Sequence, residues 1–337
     1  MRLWQGMVTA VMLVSAVSGA KAAEKSWGVQ GNGLKIAASC ARTVDIQPGG
    51  DAHQIKISAS ADHGEEIDQL KVNGGDMATL DVGGARCWLS GLIYEKPTLT
   101  LTIKVPDGAA LDISDGGVAR YTIGAVGGTL SLVFSGSGGA KAANAHELSV
   151  VLSGSGTSEV GDADGRLKVR ISGSGDLSIG HLRASTSDIE LSGSAGLKVA
   201  DGDMGTLNAA LHGSGNLSVP AASSAHLIAS GSGDAVIKSL KGVLEAKLSG
   251  SGNLTVDTID TPSAAVQTSG HSMVKLGGGS IGAFSLSSAG ASDIAVDASV
   301  TDADISMVGA GEVRFAKLTG HVNRSVTGAG RVVIAGH

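Results

Sequence analysis

Apolar and polar residues alternate along most of the chain, and one alternating segment is repeated. Residues 167–179 read Leu-Lys-Val-Arg-Ile-Ser-Gly-Ser-Gly-Asp-Leu-Ser-Ile, with apolar residues or glycine at every odd position and polar residues at every even one. This period of two is typical of a β-strand with one buried and one exposed face. Gly173 and Gly175 take buried positions where bulky residues would come next, so the chain can bend there. The segment predicts a strand, a glycine corner and a second strand.

Copies of this segment recur at a nearly constant spacing. Residues 207–219 and 244–256 repeat its apolar positions one for one. The mean period is about 19 residues, which lies in the range of stacked repeat architectures. Aligned on the first buried position of the corner, the copies fall at Asp115, Gly136, Gly154, Gly173, Gly193, Gly213, Gly231, Gly250, Gly270, Gly290, Gly309 and Gly328.

The repeat predicts an all-β fold. A unit this short cannot bury its own apolar face, whereas stacked units with parallel strands bury all of their apolar faces together. Residues 106–337 are therefore expected to form a parallel β-helix, or solenoid, of about 11–12 coils. Residues 23–105 are strand-rich but irregular, and they predict an N-terminal β-rich lead-in that caps the first coil. An antiparallel β-sandwich would also use many short strands, but it does not require corners at constant spacing.

Residues 1–22 have the composition of an export signal. Arg2 is followed by the apolar run 7–17 and by Ala20-Lys21-Ala22, which is the order of regions in a secretory signal peptide. An uncleaved anchor is the alternative, but the run is shorter than the roughly 20 apolar residues of a spanning helix. We expect an exported bacterial protein, in the periplasm or on the cell surface, that does not span a membrane after signal removal.

Composition and charge narrow the function further. The formal net charge of the 337 residues is −6, so nucleic acid is not an expected partner. Aromatic residues make up only 2% of the chain, so an aliphatic core with few deep pockets is expected. The two cysteines, Cys40 and Cys87, favour a disulfide in an exported protein. Two unpaired, buried thiols are the alternative.

The glycine corners resemble a known family. Residues 153–156, 172–175, 230–233 and 249–252 all read Ser-Gly-Ser-Gly, and they resemble the repeats of the putative auto-transporter adhesin head domain, the GIN domain. The passage from residues 99–106 into 111–114 resembles that family as well. The resemblance extends from about residue 44 to the C-terminus, and it implies a secreted, right-handed β-helix of bacterial cell envelopes.

No motif for a cofactor or metal stands out. Residues 278–282 match Gly-x-Ser-x-Gly and 277–282 match Gly-x-Gly-x-x-Gly, but both fall in a predicted bend rather than before a helix. Carboxylates that follow the second corner glycine are separated by uncharged or basic residues, so they do not form a calcium site. His212 and His271 lie in different columns and cannot share a metal. We expect no cofactor.

Serines at the outward positions of the corner are its most distinctive feature. Stacked hydroxyls would support the corner as a structural ladder. The alternative is a flat polar array that contacts an envelope protein, a glycan or ice. One column contains Ser135, Ser153, Ser172, Ser192, Ser230, Ser249 and Ser269, and the other contains Ser137, Ser155, Ser174, Ser194, Ser214, Ser232 and Ser251.

Taken together, the residues predict a non-enzymatic, surface-binding or adhesin-like module of the cell envelope. A carbohydrate-active β-helix enzyme, of the lyase or hydrolase type, is the alternative, and it would need acid and base groups in a groove with aromatic platforms. After Tyr121 the only aromatic residues are Phe134, Phe284 and Phe315, which parity places inward. The last corner, 328–330, is followed by residues 331–337 alone, so we expect end-to-end self-association through an uncapped C-terminal coil, or docking of that coil onto an envelope partner.

Overall fold

The computed structural model describes residues 9–11, 22–39, 41–83 and 97–335. The described residues lie mostly in β-strands and divide into two compact units. Unit 1 is Met1–Asp164 with Gly175–Leu177, and unit 2 is Gly165–Ser174 with Ser178–His337. Both units are built from stacked, parallel-paired coils, so the all-β solenoid predicted from the repeat is confirmed. A helix long and apolar enough to cross a membrane is absent from the described part of the chain.

The strands of unit 1 pair in two series. One series runs β1-β2-β5-β8-β4-β10-β12-β14 and the other runs β6-β7-β3-β9-β11-β13. The strands are β1 (Thr9–Val11), β2 (Ala23–Gln30), β3 (Gly33–Ala38), β4 (Thr43–Pro48), β5 (Gln54–Ala61), β6 (Leu70–Asn73), β7 (Met77–Val82), β8 (Thr100–Val105), β9 (Ala110–Asp115), β10 (Arg120–Ile123), β11 (Leu130–Phe134), β12 (Gly139–Ala145), β13 (Leu148–Leu152) and the first part of β14 (Ser158–Ile171); a short helix, α1 (Gly64–Asp68), precedes β6.

The N-terminal coils of unit 1 do not stack in chain order. The coil of β3 and β4 lies between two others, because β7 and β8 pair with it on one side and β9 and β10 pair with it on the other, all in parallel. Outside β7 and β8, the strands turn antiparallel: β6 pairs with β7, β5 with β8, and β2 with β5. These antiparallel strands cover the edge of the outermost parallel coil.

Each coil of unit 2 has one strand before the glycine corner and one after it. Strands of successive coils pair in parallel, as in Leu207↔Ala225 and Ala225↔Leu244. The strands are the last part of β14, β15 (Leu177–Leu191), β16 (Leu197–Asp203), β17 (Thr206–Leu211), β18 (Leu217–Ala222), β19 (Ser224–Ala229), β20 (Ala235–Leu240), β21 (Leu244–Gly250), β22 (Leu254–Gly270), β23 (Met273–Gly290), β24 (Asp293–Gly309), β25 (Glu312–Leu318), β26 (Val322–Gly328) and β27 (Arg331–Ile334).

The core consists of the inward positions of the alternating pattern. Leu, Val, Ile and Ala occupy most of them, and the three phenylalanines are buried, which confirms the inward orientation that parity predicts. Phe284 packs edge-on against Phe315 with ring centroids 5.5 Å apart. In unit 1, Phe134 packs against Tyr121 at the same centroid distance, 5.5 Å.

The first repeat of the sequence alignment is wrong by two residues. Asp115 pairs with Phe134, so it occupies an inward strand position and not the corner. In that coil, Gly117 is the residue that lies beneath Gly136. A Cβ added at Gly136 would contact the carbonyl oxygen of Gly117. The alignment failed because Asp115 is a polar residue in a core column, where Tyr121 donates a hydrogen bond to it.

The corner requires glycine because successive coils approach each other there at backbone contact. A Cβ at Gly213 would lie 2.2 Å from the carbonyl oxygen of Gly193, and one at Gly231 would lie 2.0 Å from that of Gly213. Backbone hydrogen bonds hold this approach, since the Ser232 N–H donates to the Gly213 oxygen at 3.0 Å. A side chain at the first inner position would therefore push two coils apart.

This close approach predicts a sharp difference between neighbouring positions. Gly231→Ala places a methyl group against backbone that cannot move aside, so we expect the free energy of unfolding to fall by about 2–4 kcal/mol. Ser232→Ala, at the adjacent exposed position, is the matched control and should change it by less than about 0.5 kcal/mol. Urea unfolding followed by circular dichroism measures both. Equal effects of the two variants would show that successive coils are not in backbone contact at the corner.

Candidate functional site

The predicted serine columns lie on the exposed side of the corner in both units. Every serine of the two columns is exposed, the first corner glycine between them is half-buried, and the second is buried at most coils. Unit 1 contributes Ser135, Ser137, Ser153 and Ser155, and unit 2 contributes Ser172, Ser174, Ser192, Ser194, Ser214, Ser230, Ser232, Ser249, Ser251 and Ser269.

Backbone groups, more than the serine hydroxyls, connect one corner to the next. The Ser230 N–H donates to the Leu211 oxygen at 2.8 Å, and the Ser232 N–H donates to the Gly213 oxygen at 3.0 Å. His212, which replaces a serine, places its Nδ1 2.8 Å from the Ser230 hydroxyl. In the described part of the chain, serines of the two columns form no hydroxyl-to-hydroxyl bonds with each other. Two hydroxyls bond to backbone oxygens instead, Ser192 to Ile171 at 3.4 Å and Ser249 to Ala229 at 3.5 Å.

The corner surface becomes less polar toward the C-terminal end of unit 2. After Ser269 the first column continues with Ala289, Val308 and Thr327, and Val308 is 58% exposed. The second column continues from Ser251 with His271, Ala291, Ala310 and Ala329. Neither column contains Asp, Glu, Lys or Arg. The corner is thus an uncharged surface made of short side chains.

A ladder of side-chain oxygens runs beside the corner in unit 2, at the position after the second glycine. Asn216 Oδ1 accepts a hydrogen bond from the Asp234 N–H at 2.9 Å, and Asp234 Oδ1 accepts one from the Asn253 N–H at 3.0 Å. Asn253 Oδ1 accepts one from the Met273 N–H at 3.0 Å. From the sequence, the carboxylates at this position were considered only as calcium ligands, so this ladder was missed. Their recurrence at one corner position was the signal that they stack.

The last coils of unit 2 continue this ladder with charged groups. Asp293 Oδ1 accepts a hydrogen bond from the Glu312 N–H at 3.1 Å, and the Glu312 carboxylate accepts one from Arg331 Nε at 3.0 Å. The hydrogen bond from Arg331 lowers the pKa of the Glu312 carboxyl. Each of these carboxylates therefore bonds to a group of the next coil and does not face another carboxylate. The described residues hold no group of three or more His, Cys, Asp or Glu that could bind a metal ion.

Three exposed histidines each face a carboxylate. Pairs between exposed groups of this kind contribute only about 0–1 kcal/mol to stability. His212 and His271 lie at the two different corner columns, as the sequence indicates. The pairs are His146 with Asp164 at 3.2 Å, His181 with Asp201 at 3.3 Å, and His226 with Glu245 at 3.0 Å.

Asp115 and Tyr121 form a buried polar pair in unit 1. Each residue is 2% exposed, and Tyr121 Oη donates to Asp115 Oδ2 at 2.8 Å while the Gly117 N–H donates to Asp115 Oδ1. Burial raises the pKa of the Asp115 carboxyl, although the two hydrogen bonds oppose that shift. Burial and the nearby carboxylate raise the pKa of Tyr121 as well. Such shifts also occur in active sites, but this pair is closed to solvent and fixes the first corner.

The remaining sequence motifs have structural settings of their own. Ser280 of the Gly-x-Ser-x-Gly match lies inside strand β23, where its hydroxyl donates to Asp260 Oδ1 at 3.0 Å. A nucleophile elbow requires a turn from a strand into a helix, and the described residues around Ser280 continue as strand. Cys40 and Cys87 lie outside the described residues, so their disulfide stays a prediction.

Comparison with known proteins gives a family match and several structural likenesses. The family model described as "Putative auto-transporter adhesin, head GIN domain" matches residues 34–222 and again 217–337. A search of curated proteins finds no significant match.

The solved structures that resemble the chain share little sequence with it. A putative adhesin from Parabacteroides distasonis is 13% identical, with 94% of this chain and 98% of that chain covered and a TM-score of 0.36. A putative lipid binding protein from the same organism is 14% identical, with 92% and 96% covered and a TM-score of 0.29. A putative adhesin from Bacteroides fragilis is 11% identical, with 94% and 98% covered and a TM-score of 0.25.

The buried pair predicts a pH dependence of stability. Because burial raises the pKa of Asp115 above its unfolded value, the folded state binds this proton more tightly than the unfolded chain does. Protonation of Asp115 therefore stabilises the fold at low pH, and this contribution is lost as the pH rises through the folded pKa. Asp115→Asn should remove this part of the pH dependence and should not be less stable than the wild type at pH about 7.

Urea unfolding of wild type and Asp115→Asn between pH about 4 and 8 checks this sign. Tyr121→Phe is the second variant, because it leaves the buried carboxylate with one donor fewer and should cost about 1–3 kcal/mol at neutral pH. A wild type whose stability rises with pH relative to Asp115→Asn would contradict the assignment.

Proposed function

The chain belongs to the putative auto-transporter adhesin head GIN domain family, and we propose that it is an exported, non-enzymatic module of the bacterial cell envelope. It binds an envelope protein or glycan through the glycine corner, defined by the two serine columns and their C-terminal continuation. The single observation that carries this proposal is the corner surface itself, which is exposed and uncharged through successive coils of each unit.

The physical properties of the corner suit contact with an extended partner. Serine and alanine side chains lose little conformational entropy on binding, so an interface made of them has a small ordering cost. Backbone bonds such as the one from Ser232 to Gly213 already fix the geometry before a partner arrives. Successive coils present the same groups at the strand spacing of about 4.8 Å, which favours a partner that is itself regular.

The non-enzymatic part of the proposal is supported by how the titratable groups are used. The buried carboxyl of Asp115 is bonded to Tyr121 and Gly117. The exposed carboxylates of Asp234 and Asp293 beside the corner each accept a backbone hydrogen bond. A glycosidase needs two carboxyl groups facing each other across a substrate groove. Export is supported by the composition of residues 1–22 and by the family, whose description refers to an adhesin head.

Charge placed on the corner should weaken binding. Ser230→Lys with Ser232→Lys puts two bulky cations on the uncharged surface, and we expect cosedimentation with isolated bacterial cell envelopes to fall at least about tenfold, or about 1.4 kcal/mol. The matched control, Thr301→Lys with Ala316→Lys, adds the same charge at exposed residues outside the corner and should bind like wild type. Melting temperatures of both variants should match that of the wild type. Equal binding by the two double variants would refute the role of the corner.

We also propose that the protein self-associates end to end through β26 and β27. Within the described residues these strands pair on one side only, with β24 and β25. Their inward residues Val332 and Ile334 are half-buried, and Val326 is 38% exposed, so apolar surface remains available there. Arg324 occupies the column of Ile305. An inward-pointing charge at this position weakens pairing of the β26 edge with a strand of a second copy of the protein.

Arg324→Ile is therefore expected to strengthen self-association, because it restores the apolar column and removes the cost of burying a charge. Sedimentation velocity at increasing protein concentration should show an association constant at least about tenfold above that of wild type. Lys275→Ile, which removes an exposed charge from β23, is the control and should leave association unchanged. A monomer at every concentration for both wild type and Arg324→Ile would refute end-to-end association.

A further inference from the structure

Unit 1 contains a small open cavity at the turns that join its N-terminal strands. Its volume is about 370 Å³, within the range of small-molecule sites. The turns β2–β3, β4–β5 and β8–β9 contribute its walls, and none of the lining residues belongs to the serine columns. The lining residues are Asn32, Gly50, Ala52, His53, Pro106, Asp107 and Gly108.

His53 is held in the cavity wall in an unfavourable backbone conformation. Its φ of 62° is the one positive value at a non-glycine residue in the described part of the chain. The left-handed region is unfavourable for a residue with a side chain, and such strain concentrates at functional sites. The Gly31 N–H donates to the His53 oxygen at 2.9 Å and helps to hold this conformation.

Hydrogen bonds fix which nitrogen of the His53 ring carries the proton. Asn32 Nδ2 donates to Asp76 Oδ1 at 2.6 Å, so the carboxylate fixes the orientation of the Asn32 amide. Asn32 Oδ1 then faces His53 Nδ1. An amide oxygen can only accept, so Nδ1 must donate, and in the neutral ring Nε2 keeps its lone pair. The relay Asp76–Asn32–His53 thus leaves Nε2 as a hydrogen-bond acceptor.

The cavity therefore offers acceptors to a ligand. Neither His53 Nε2 nor the Asp107 carboxylate has a hydrogen-bond or ion-pair partner among the described residues. Lys56, a nearby cation in sequence, is paired with Asp51 at 3.0 Å. The complementary ligand is rich in donors and positively charged.

We propose that this cavity binds a saccharide unit that carries a free amino group. Its ammonium group faces Asp107, and one of its hydroxyls donates to His53 Nε2. A sugar suits an open site lined by short polar side chains and backbone, because its several hydroxyls can use several acceptors at once. This site is separate from the corner surface and acts in addition to it.

The test is a titration of the mature protein, with its histidine rings ¹⁵N-labelled, against D-glucosamine and D-glucose by NMR at neutral pH. His53 should give the ¹⁵N pattern of the Nδ1–H tautomer, and glucosamine should shift its ring signals with a Kd of about 1–10 mM. Glucose lacks the ammonium group and should bind at least about tenfold more weakly. Asp107→Asn should bring the affinity for glucosamine down to that for glucose.

A matched pair of variants isolates the imidazole. His53→Asn removes the ring and keeps a residue that tolerates positive φ, and it should lose the response to glucosamine measured on the backbone amides of residues 106–108. His63→Asn, the same change at an exposed histidine outside the cavity, should retain it. An Nε2–H tautomer at His53 in the wild type would overturn the proposal. So would the absence of a shift at about 50 mM glucosamine, or equal responses from the two variants.

The result is distinguishable from the test of the corner. The cavity variants leave the corner serines intact, so they should still cosediment with cell envelopes, and Ser230→Lys with Ser232→Lys should still bind glucosamine. Loss of glucosamine binding in the corner variant would contradict a separate site.

Discussion

Backbone contact between neighbouring coils at the glycine corner is the constraint on which the structure depends. A Cβ at Gly213 or Gly231 would lie about 2 Å from the carbonyl oxygen of the coil before it, so the parallel stack can close there only if the first inner position carries no side chain. Where serine replaces the second glycine, as at Ser272 and Ser292, its hydroxyl is buried and bonds to the backbone of the preceding coils at 3.3 Å. The corner therefore sets the register of the strands on both sides of it.

That constraint also shapes the outer surface. Since backbone amides connect successive corners, the serine hydroxyls are not needed for the connection and stay exposed. The polar ladder of Asn216, Asp234 and Asn253 accepts hydrogen bonds from three backbone N–H groups beside the corner. The carboxylates of Asp234 and Asp293 are thus engaged in stacking coils of unit 2, and the two serine columns contain no Asp, Glu, Lys or Arg. This uncharged surface is the basis of the proposed contact with an extended partner.

The N-terminal strands of unit 1 do not follow the repeat, and the turns between them form the proposed saccharide site. Antiparallel strands cover the outermost parallel coil, and the chain must return past the β3–β4 coil to start β9. The turns that make these reversals are irregular, so they gather groups that no repeat could place together. His53, with its strained backbone and fixed tautomer, is the clearest example.

The alternating pattern and the spacing of the corners determined the all-β solenoid, its buried columns and the exposed serines, because period-two burial and the space requirement of glycine act locally and repeat in every coil. Only the tertiary structure decided what depends on neighbours distant in the chain. Asp115 can lie in a core column because Tyr121 and Gly117 donate hydrogen bonds to its carboxylate. The sequence alignment placed Asp115 at the corner, and its first repeat was therefore displaced by two residues. The insertion of β3–β4 between later coils and the relay from Asp76 through Asn32 to His53 join segments that no periodicity relates. Such contacts are set by long-range packing, which leaves no repeating mark in the sequence.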